Sequence, residues 1–421
     1  MRTARVVATV AAAAVQLVPL QLAAGATAHA APPAPNGRYI VVLASAPSAS
    51  GTPAALTRAR TRGVRITREF RHVISGYVAQ LDASQLESVR NDPDVAYVEP
   101  DQIVRANAGE TDSGAAPAQP ASTDDAQVGA AGGRPVQADV SQRPATWGLD
   151  RVDQRRGNLD GAYTYRSTGA GVSVYLVDSG IRATHSDFGG RASGGFSVVD
   201  DGHGTDDCNG HGTHVAGTVG GTDKGVAKQV RLVGVRVLDC DGFGTISGVI
   251  AGIDWINANA SRPAVVNLSL EAGTSRALDQ AVRQSIGSGL VYSISAGNGG
   301  LDACDSSPGR VPRAITVGAT TSADSRDTGY SNYGRCVDLF APGTDITSDW
   351  IDSDTATKSE TGTSMAAPHV TGVAALYLQR HPHAGPDQVR DAIVEAGTRG
   401  VLSNIGAGSP NVLLYSRERD F

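Results

Sequence analysis

The sequence predicts an α/β protein with a doubly wound parallel sheet and helices on both faces, preceded by a small α+β domain. From Gly171 onward, short apolar segments alternate with segments of helical periodicity, as they do when helices cross between parallel strands. The composition, with 51 glycines and 5% aromatic residues, suits a turn-rich globular body better than a coiled coil or a disordered chain. At 421 residues, the chain is long enough for a large core and smaller appendages.

Individual elements of the large region follow from their apolar patterns. The helix predicted over Ile246–Asn257 is the clearest, because its isoleucines and valine recur on one helical face. In such a sheet, functional groups gather at the carboxyl ends of the strands. The predicted strands are Val172–Val177, Val230–Val237, Val265–Leu270, Leu290–Ser295 and Ala314–Ala319, and the other predicted helices are His211–Gly220 and Ala277–Ser288.

The N-terminus has the pattern of a secretory signal. A basic start, Met1–Arg5, is followed by a mostly apolar run, Val6–Ala24, and by small residues on either side of His29. This pattern predicts a signal peptide over residues 1–30, cleaved after Ala30. A retained membrane anchor is the alternative, although polar residues and a proline interrupt the run. We expect a secreted, extracellular protein without stable membrane association.

A small α+β domain is predicted over residues 37–106, and from the residues alone it is a generic ferredoxin-like module. Residues 107–142 are rich in Ala, Gly, Pro, Ser and Asp, which predicts a flexible, cleavable linker before the large region, 143–421. Within the small domain the predicted strands are Tyr39–Leu43, Val64–Phe70, Gly76–Leu81, Val95–Pro100 and a closing Ile103–Val104, with helices at Pro53–Arg62 and Ala83–Val89.

Three segments of the large region carry side chains suited to nucleophilic catalysis. The apolar segment Val174–Gly180 brings Asp178, a glycine-hinged segment brings His211 into a predicted helix, and a Gly-Thr-Ser turn puts Ser364 near the start of another. A serine hydroxyl needs a base such as neutral histidine, which a carboxylate then orients. Taken singly, Gly-Thr-Ser suits a helix cap, Asp178 suits a turn, and His211 with His214 suits a metal pair. The order Asp–His–Ser favours one triad instead.

The segments Val174–Gly180, Asn209–Thr218 and Gly362–His369 closely resemble the signature segments of subtilisin-like serine peptidases. Within that family, the region Trp147–Tyr415 is most similar to the proteinase K and aqualysin branch. The resemblance implies a serine endopeptidase that forms an acyl-enzyme on polypeptide substrates. It also implies a broad preference for apolar or aromatic residues before the cut bond.

The same resemblance gives the small domain a role. It implies that residues 37–106 are an inhibitor-type prodomain, an intramolecular chaperone and inhibitor, so that the protein is made as an autoprocessed preproenzyme. The mature enzyme should then begin between Val128 and Pro144, because the family's catalytic domain starts a few residues before Trp147–Asp150.

The resemblance also implies catalytic roles for individual residues. It implies that Ser364 is the nucleophile, His211 the general base and Asp178 the carboxylate that orients it. Asn298 matches the family's oxyanion-hole residue, whose side-chain amide donates beside the backbone N–H of Ser364. A plain Asn-Gly turn is the alternative for Asn298. The remaining histidines of these segments are expected to be structural: His214 and His369.

Substrate is expected to bind as an extended strand between two backbone edges. Glu271 and Ala272 replace glycines of the family pattern, and Phe243 replaces a smaller residue. We hypothesise that Glu271 narrows the pocket for the residue preceding the cut bond or favours a basic side chain there. A Glu271 that faces solvent is the alternative. The resemblance assigns these residues to substrate binding: Gly242, Phe243, Gly244, Ser269, Leu270, Glu271, Ala296 and Gly297.

The four cysteines fall in the large region, and an even number outside the cytoplasm predicts two disulfides with three connectivities. No C-x-x-C spacing suggests zinc. The resemblance implies the pairs Cys208–Cys240 and Cys304–Cys336.

Structural calcium is expected, because the resemblance implies it and oxygen ligands suit this ion. Solvated surface acids are the alternative. No cofactor is expected for catalysis. The implied ligands are Asp150, Asp153 and Gln154 at one site, and Asp338 with the carbonyls of Pro312 and Ala314 at another.

The net charge of −6 gives no reason to expect a nucleic-acid partner, and we expect a monomer. Two other functions compete with the peptidase. A silent binding protein of the same family is disfavoured by the complete set of catalytic residue types. An esterase or lipase is disfavoured by the order Asp–His–Ser and by the absence of Gly-x-Ser-x-Gly.

Overall fold

The largest element of the fold is a nine-stranded, predominantly parallel sheet. It belongs to a computed structural model that describes residues 37–47, 53–106 and 139–417. The predicted signal sequence and residues 107–138 of the predicted linker lie outside the described residues. The elements before the linker are β1 (Arg38–Leu43), α1 (Ala54–Thr61), β2 (Arg65–Phe70), β3 (Gly76–Gln80), α2 (Ala83–Arg90), β4 (Val95–Pro100) and β5 (Ile103–Ala106).

The large region contributes the remaining strands and helices. They are β6 (Val140–Gln142), α3 (Trp147–Val152), β7 (Tyr163–Tyr165), β8 (Ser173–Asp178), β9 (Ala192–Ser197), α4 (His211–Gly220), β10 (Arg231–Arg236), β11 (Phe243–Thr245), α5 (Ile246–Asn259), β12 (Ala264–Leu268), β13 (Leu270–Glu271), α6 (Arg276–Gly287), β14 (Val291–Ser295), β15 (Ile315–Thr320), β16 (Leu339–Pro342), β17 (Ile346–Asp349), β18 (Thr357–Glu360), α7 (Thr363–Arg380), α8 (Pro386–Ala396), β19 (Thr398–Arg399) and β20 (Val412–Leu413).

The nine strands follow the order β19-β20-β16-β15-β14-β12-β8-β10-β9. Side chains of β8 alternate between the two faces of the sheet, as the pleat requires. Val174 and Leu176 pack in the core that contains residues of α4 and α7, whereas Tyr175 and Val177 pack in the core that contains residues of α5 and α6. The predicted doubly wound sheet with helices on both faces is therefore confirmed.

The predicted elements of the large region are all present, with ends shifted by one or two residues. The predicted strand Val265–Leu270 is interrupted, because β12 ends at Leu268 and Leu270 begins β13 in a different sheet. Among the elements that sequence analysis did not predict are β9 and α8. The first, Ala-Ser-Gly-Gly-Phe-Ser, lacks apolar alternation, and the second carries few large apolar residues.

The small domain is a four-stranded antiparallel sheet, β2-β3-β1-β4, with helices α1 and α2. Tyr39 and Val41 of β1 face a core shared with those helices. Ile40 and Val42 face the other way, into the same core as Ala251 of α5. The predicted α+β domain is confirmed, and the alternation of β1 joins it to the large region.

Two predictions at the ends of the linker are wrong. Ile103–Val104 does not close the sheet of the small domain, because β5 pairs with β11 and β13 of the large region instead. The predicted linker extends too far, because β6, Val140–Gln142, pairs with β7. Both segments are short, and the strands with which they pair, β11, β13 and β7, belong to the large region. Their pairing therefore depends on the folding of that region.

Helix α7 contains Pro368 at its sixth position, beyond the first turn, where proline is tolerated best. Proline has no N–H to donate to the carbonyl four residues earlier, which belongs to Ser364. The Ser269 hydroxyl donates to that carbonyl at 3.0 Å and replaces the missing bond. The helix therefore continues through the proline, and Ser269 is fixed against Ser364.

The disulfides pair as the resemblance implies, Cys208 with Cys240 and Cys304 with Cys336. Among the described residues, no helix combines the length and the apolar character that crossing a membrane requires.

Two neighbouring carboxyl groups, those of Asp349 and Asp187, lie beneath α4. Asp349, at the end of β17, is 1% exposed, and the charge of Asp187 acts on it. His185 Nδ1 lies 3.7 Å from Asp349 Oδ1, and Lys224 and Asp223 are the other charged groups that act on it. Burial, followed by the charge of Asp187, raises the pKa of Asp349 well above its usual value.

We predict that this pair makes stability fall as pH rises. An unfolded Asp349 loses its proton near pH 4 while the folded one keeps it, so the free energy of unfolding should decrease above pH 4 by at most about 1.4 kcal/mol per pH unit. The decrease should stop once pH passes the pKa of the folded state. Chemical denaturation of Asp349→Asn across pH should show a shallower slope. Asp352→Asn, in an exposed turn, is the control, and equal slopes in all three proteins would contradict the prediction.

Candidate active site

Three side chains that are distant in the sequence meet at the carboxyl edge of the large sheet. Asp178 ends β8, His211 begins α4 and Ser364 is the second residue of α7. Their relative exposures are 0%, 3% and 0%. The site therefore lies at the edge that the sheet topology predicts, and its polar groups are shielded from solvent.

Asp178 and His211 form a direct pair. Asp178 Oδ1 lies 2.7 Å from His211 Nδ1 and also accepts the Ser179 N–H at 2.8 Å. Burial lowers the pKa of His211, but the charge and hydrogen bond of Asp178 outweigh that effect, so its pKa lies above the usual value. Among the described residues, His211 Nε2 has no hydrogen-bond partner. The nitrogen opposite Asp178 is thus available to accept a proton.

A close backbone approach makes this pair possible. A Cβ on Gly212 would lie 2.1 Å from the Gly180 carbonyl oxygen, so only glycine lets the first turn of α4 approach the end of β8. Gly210, which precedes α4, has a φ of 106°, in the region that glycine adopts most readily. The close approach of α4 to β8 therefore explains Gly212, and the positive φ before α4 explains Gly210.

Ser364 is held by the edge strand opposite it. Its hydroxyl donates to the Ser269 carbonyl at 3.1 Å, and the Ser269 hydroxyl donates to the Ser364 carbonyl at 3.0 Å. The Ser364 hydroxyl is not bonded to His211 in this state. A rotation about its Cα–Cβ bond is the change required to exchange the Ser269 carbonyl for His211 Nε2.

Donors for a developing negative charge lie beside Ser364. As the second residue of α7, Ser364 has a backbone N–H in the first turn, where no intrahelical acceptor exists. Asn298 Oδ1 accepts the Thr363 N–H at 3.0 Å and the Thr363 hydroxyl at 2.8 Å. These bonds fix the orientation of the Asn298 amide next to Ser364.

Two residues that sequence analysis did not single out as site residues organise this site. Asp207 accepts the N–H groups of Gly210 and Thr213 at 2.9 and 2.8 Å, and thereby fixes the start of α4. Asn332 Oδ1 accepts the N–H groups of Gly299 and Leu301 at 3.0 and 2.8 Å. Asn332 therefore positions the loop that follows Asn298. An acid just before Asn-Gly-His was a usable signal for Asp207, but Asn332 has none.

The predicted substrate edges hold a strand of the small domain. Strand β5 lies between β11 and β13 in a three-stranded antiparallel sheet. The Ala106 N–H donates to the Gly242 carbonyl at 3.0 Å, and Val104 is opposite Gly244. Leu270 is opposite Ala106. The predicted edge residues are therefore placed on either side of one extended segment, with half-exposed Phe243 beside it.

Glu271 does not face solvent, because its side chain is only 13% exposed. Its Oε2 accepts the Asn298 N–H at 3.1 Å, and its Oε1 accepts both Nη2 and Nε of Arg105, at 2.7 and 3.2 Å. A Cβ on Gly297, whose φ is 103°, would lie 2.4 Å from Oε2. Ala296 is buried just before this turn. Glu271 thus links the loop at Asn298 to β5.

The first predicted calcium set comes together at the end of α3. Asp150 and Asp153 are each 3% exposed, and Gln154 Nε2 donates to Asp150 Oδ1 at 2.6 Å. Asp150 also accepts the N–H groups of Asp160 and Gly161. Asp153 Oδ1 is buried and has no partner among the described residues. An unpartnered buried carboxylate oxygen fits a hard cation.

The second predicted calcium set does not fit the ion as well. Asp338 Oδ1 accepts Arg390 Nη2 at 2.5 Å, and its Oδ2 accepts the Thr316 N–H at 2.8 Å. The guanidinium supplies the positive charge that calcium would bring. Both carboxylate oxygens are engaged, so nothing in the geometry calls for an ion between Asp338 and the carbonyls of Pro312 and Ala314.

The two other histidines of the motifs are packed in the interior. His214 Nε2 contacts the Ile346 carbonyl at 2.8 Å, and burial lowers its pKa to about 3. His369 Nδ1 contacts the Met365 carbonyl at 2.8 Å, and burial lowers its pKa to about 4. Both rings are neutral at physiological pH and bonded to backbone, as expected for structural residues.

This chain belongs to the subtilase family, whose model matches residues 169–408. A peptidase inhibitor I9 model matches residues 38–107, so the small domain is an inhibitor-type prodomain. The protein is accordingly a serine endopeptidase with a subtilisin-like fold, and the resemblance seen in its motifs is confirmed.

Its relatives include an extracellular serine proteinase of Thermus sp. (strain Rt41A), 50% identical over 84% of this chain and 78% of the relative. Alkaline serine exoprotease A of Vibrio alginolyticus is 48% identical over 84% of this chain and 60% of its own length. A crystal structure of a cold adapted subtilisin-like serine proteinase aligns with a TM-score of 0.63 and 52% identity, over 65% of this chain and 98% of that one.

Proposed function

We propose that this chain hydrolyses peptide bonds with Ser364 as nucleophile, His211 as general base and Asp178 as the orienting carboxylate. Ser364 Oγ attacks the substrate carbonyl while its proton passes to His211 Nε2. Asp178, 2.7 Å from Nδ1, stabilises the resulting imidazolium. The imidazolium then protonates the leaving amine, and water hydrolyses the acyl-enzyme by the same proton transfers in reverse.

The oxyanion of each tetrahedral intermediate is bound by the Ser364 N–H and the Asn298 side-chain amide. The bonds from Thr363 to Asn298 Oδ1 leave the amide nitrogen as the donor end of that side chain. Donors fixed in advance act most strongly where water is excluded, and Ser364 is fully buried.

The observation that carries this proposal is the position of β5. A strand of the chain's own prodomain is held by both edges as an extended substrate would be, and its register leads toward Ser364. Ala106 is opposite Leu270, and the neighbouring residue on that edge is Ser269, whose carbonyl accepts the Ser364 hydroxyl.

The same register supports an inhibitory prodomain and an early maturation cut. We infer that the first bond cut is Asn107–Ala108, because the pairing of Arg105 and Ala106 with Glu271 and Leu270 runs toward Ser269, whose carbonyl accepts the Ser364 hydroxyl. The start predicted from the sequence, between Val128 and Pro144, would then require later removal of the residues from Ala108 up to that start. Intact mass measured early in maturation should reveal a chain that begins at Ala108.

The prodomain also supports folding of the helices beneath it. Glu99 accepts the N–H groups of Arg276 and Ala277 at the start of α6, and Asp101 accepts the Ser247 N–H at the start of α5. Carboxylates stabilise helix N-termini by satisfying free N–H groups and opposing the helix dipole. These contacts support a chaperone role for residues 37–106.

A preference for apolar or aromatic residues before the cut bond remains part of the proposal. A pocket of about 340 Å³ lies beside β5, and its wall combines Ala272, Gly273, Gly299 and Leu301 with the charged residues Arg105, Glu271, Asp302 and Asp305. Only the apolar and small part of this wall suits an uncharged side chain. Secretion is proposed from the N-terminal pattern and from the extracellular Thermus relative.

The test is hydrolysis of matched peptide amides and esters by the purified secreted protein. We expect amide cleavage with Phe or Leu before the cut bond, and its loss in His211→Ala. Cleavage of esters without cleavage of amides would favour the esterase alternative. Binding of peptides without turnover by a correctly processed chain would favour the silent homologue.

Calcium binding at the Asp150 site is predicted to stabilise the fold. An ion bound by Asp150, Asp153 and Gln154 would satisfy the free Asp153 Oδ1, so adding calcium to chelator-treated protein should raise the melting temperature by several degrees. Asp153→Asn should lose most of that increase, whereas Asp338→Asn should keep it. An equal increase in the wild type and Asp153→Asn would place the ion elsewhere.

A further inference from the structure

Glu271 is a charged side chain at a position where the family pattern has glycine. It lies on β13, one of the two edges that hold β5, and only 13% of its side chain is exposed. Because the prodomain strand occupies the cleft in the manner of a substrate, its contacts show what each edge residue offers to a bound peptide.

The side chain that meets Glu271 is Arg105. Arg105 is opposite Glu271 in the pairing of β5 with β13, and two of its guanidinium nitrogens reach Glu271 Oε1 at 2.7 and 3.2 Å. Arg105 is otherwise 62% exposed. The contact therefore comes from a residue whose side chain lies largely on the surface of the cleft.

Glu271 is itself fixed by the enzyme. Its Oε2 accepts the Asn298 N–H at 3.1 Å, and Gly297 has no side chain that could displace it. The carboxylate is therefore oriented by the protein, and Oε1 remains directed at the strand in the cleft. A fixed carboxylate is a better partner for a guanidinium than a mobile surface one.

We propose that Glu271 selects a cationic side chain, arginine before lysine, at the third substrate residue before the cut bond. This inference rests on the proposed function, because it counts the substrate residues from Asn107–Ala108 as the bond that Ser364 cuts. In that register Arg105 is the third residue, Ala106 the second and Asn107 the first. The sequence hypothesis placed the basic side chain at the residue preceding the cut bond, whereas this inference places it two residues earlier.

The contact has a second consequence for the prodomain. In the uncleaved chain, Arg105 of β5 forms an ion pair with Glu271. The same ion pair therefore helps to hold the inhibitor strand in the cleft. Substrates with an arginine at this position compete for the same carboxylate. Because Arg105 is largely exposed, the effect should weaken as salt concentration rises.

The test compares peptide amides that differ only at the third residue, with arginine, its uncharged isostere citrulline, or glutamate. For the mature enzyme we expect kcat/KM to be about three- to tenfold higher with arginine than with citrulline, and lower again with glutamate. Glu271→Gln keeps an oxygen for the Asn298 N–H but loses the charge, so it should remove the difference. Glu271→Arg should favour glutamate instead.

Asp352→Asn is the matched control, because it removes one negative charge from an exposed turn between β17 and β18. It should keep the preference of the wild type. Equal rates with arginine and citrulline in an active wild-type enzyme would overturn the inference, as would a preference that survives in Glu271→Gln. No cleavage of any peptide would count against the proposed function instead.

A second measurement does not depend on turnover. In the uncleaved full chain with Ser364→Ala, hydrogen exchange at the Ala106 amide reports how firmly β5 is held. Adding Glu271→Gln should make that exchange about three- to tenfold faster at low salt. Unchanged exchange would show that the Arg105 contact contributes nothing to holding the strand.

Discussion

Ser364→Ala is expected to lower kcat for peptide amides by about 10⁴- to 10⁶-fold, the largest effect of any single substitution. The change removes the only atom that forms the acyl bond, and the neighbouring groups cannot replace it. It should also stop maturation, because the bond after β5 is cut by the same serine. Gel electrophoresis and intact mass of the secreted variant should therefore show an uncut chain that retains residues 37–106.

The stability of the variant separates loss of chemistry from loss of folding. The Ser364 hydroxyl makes one hydrogen bond, to the Ser269 carbonyl, so the melting temperature should change little. Ser353→Ala, in an exposed turn, is the control and should mature and turn over as the wild type does. A Ser364→Ala protein that is processed normally and still cleaves peptides would disprove the assigned nucleophile.

Asn298→Asp is expected to lower kcat by about 10²- to 10³-fold or more, with a much smaller change in KM. The aspartate keeps an oxygen for the N–H and hydroxyl of Thr363, which Asn298 Oδ1 accepts at 3.0 and 2.8 Å. It loses the amide donor and puts a negative charge where the oxyanion develops. The substitution therefore separates the catalytic role of the amide from its structural role.

Steady-state kinetics of Asn298→Asp and Asn298→Ala should be compared with those of a control, Asn259→Ala. The Asn259 side chain donates to the Trp255 carbonyl near the end of α5. Both Asn298 variants should be slow, and Asn298→Ala should also be less stable because Thr363 loses its acceptor. If Asn298→Asp kept wild-type kcat, the contact to Thr363 would be the only function of Asn298, and the oxyanion assignment would fail.

The sheet and the meeting of Asp178, His211 and Ser364 were predictable because their signals are local. Apolar runs place β8 and β12, and helical periodicity places α5, without reference to the rest of the chain. Asp178, His211 and Ser364 each stand at the end of a strand or the start of a helix, where fold topology brings them together. Two contacts follow from that placement. Asp178 Oδ1 lies 2.7 Å from His211 Nδ1, and the Ser364 hydroxyl donates to the Ser269 carbonyl at 3.1 Å.

What the sequence could not predict depends on contacts between distant segments. Strand β5 is only four residues long, and its position between β11 and β13 depends on two edges about 140 and 165 residues away. Pro368 in the second turn of α7 is tolerated because Ser269 supplies a donor from another strand. Asn332 organises the oxyanion loop without any local pattern.

Glu271 shows the same limit at the level of specificity. The sequence marks it as an unusual residue in the cleft and suggests a basic partner, but not which substrate residue meets it. Only the register of β5 shows that the partner is opposite Glu271, two residues from the cut bond. Specificity therefore had to be inferred from the structure.

The central claim is that Ser364 is an activated nucleophile in the assembled site. Its most direct test is mass spectrometry of the mature secreted enzyme after treatment with a fluorophosphonate that labels activated serines. We predict a single adduct on the peptide that contains Ser364, and no adduct in His211→Ala. A chain of mature length that takes no label, or takes it on another serine, would contradict the mechanism.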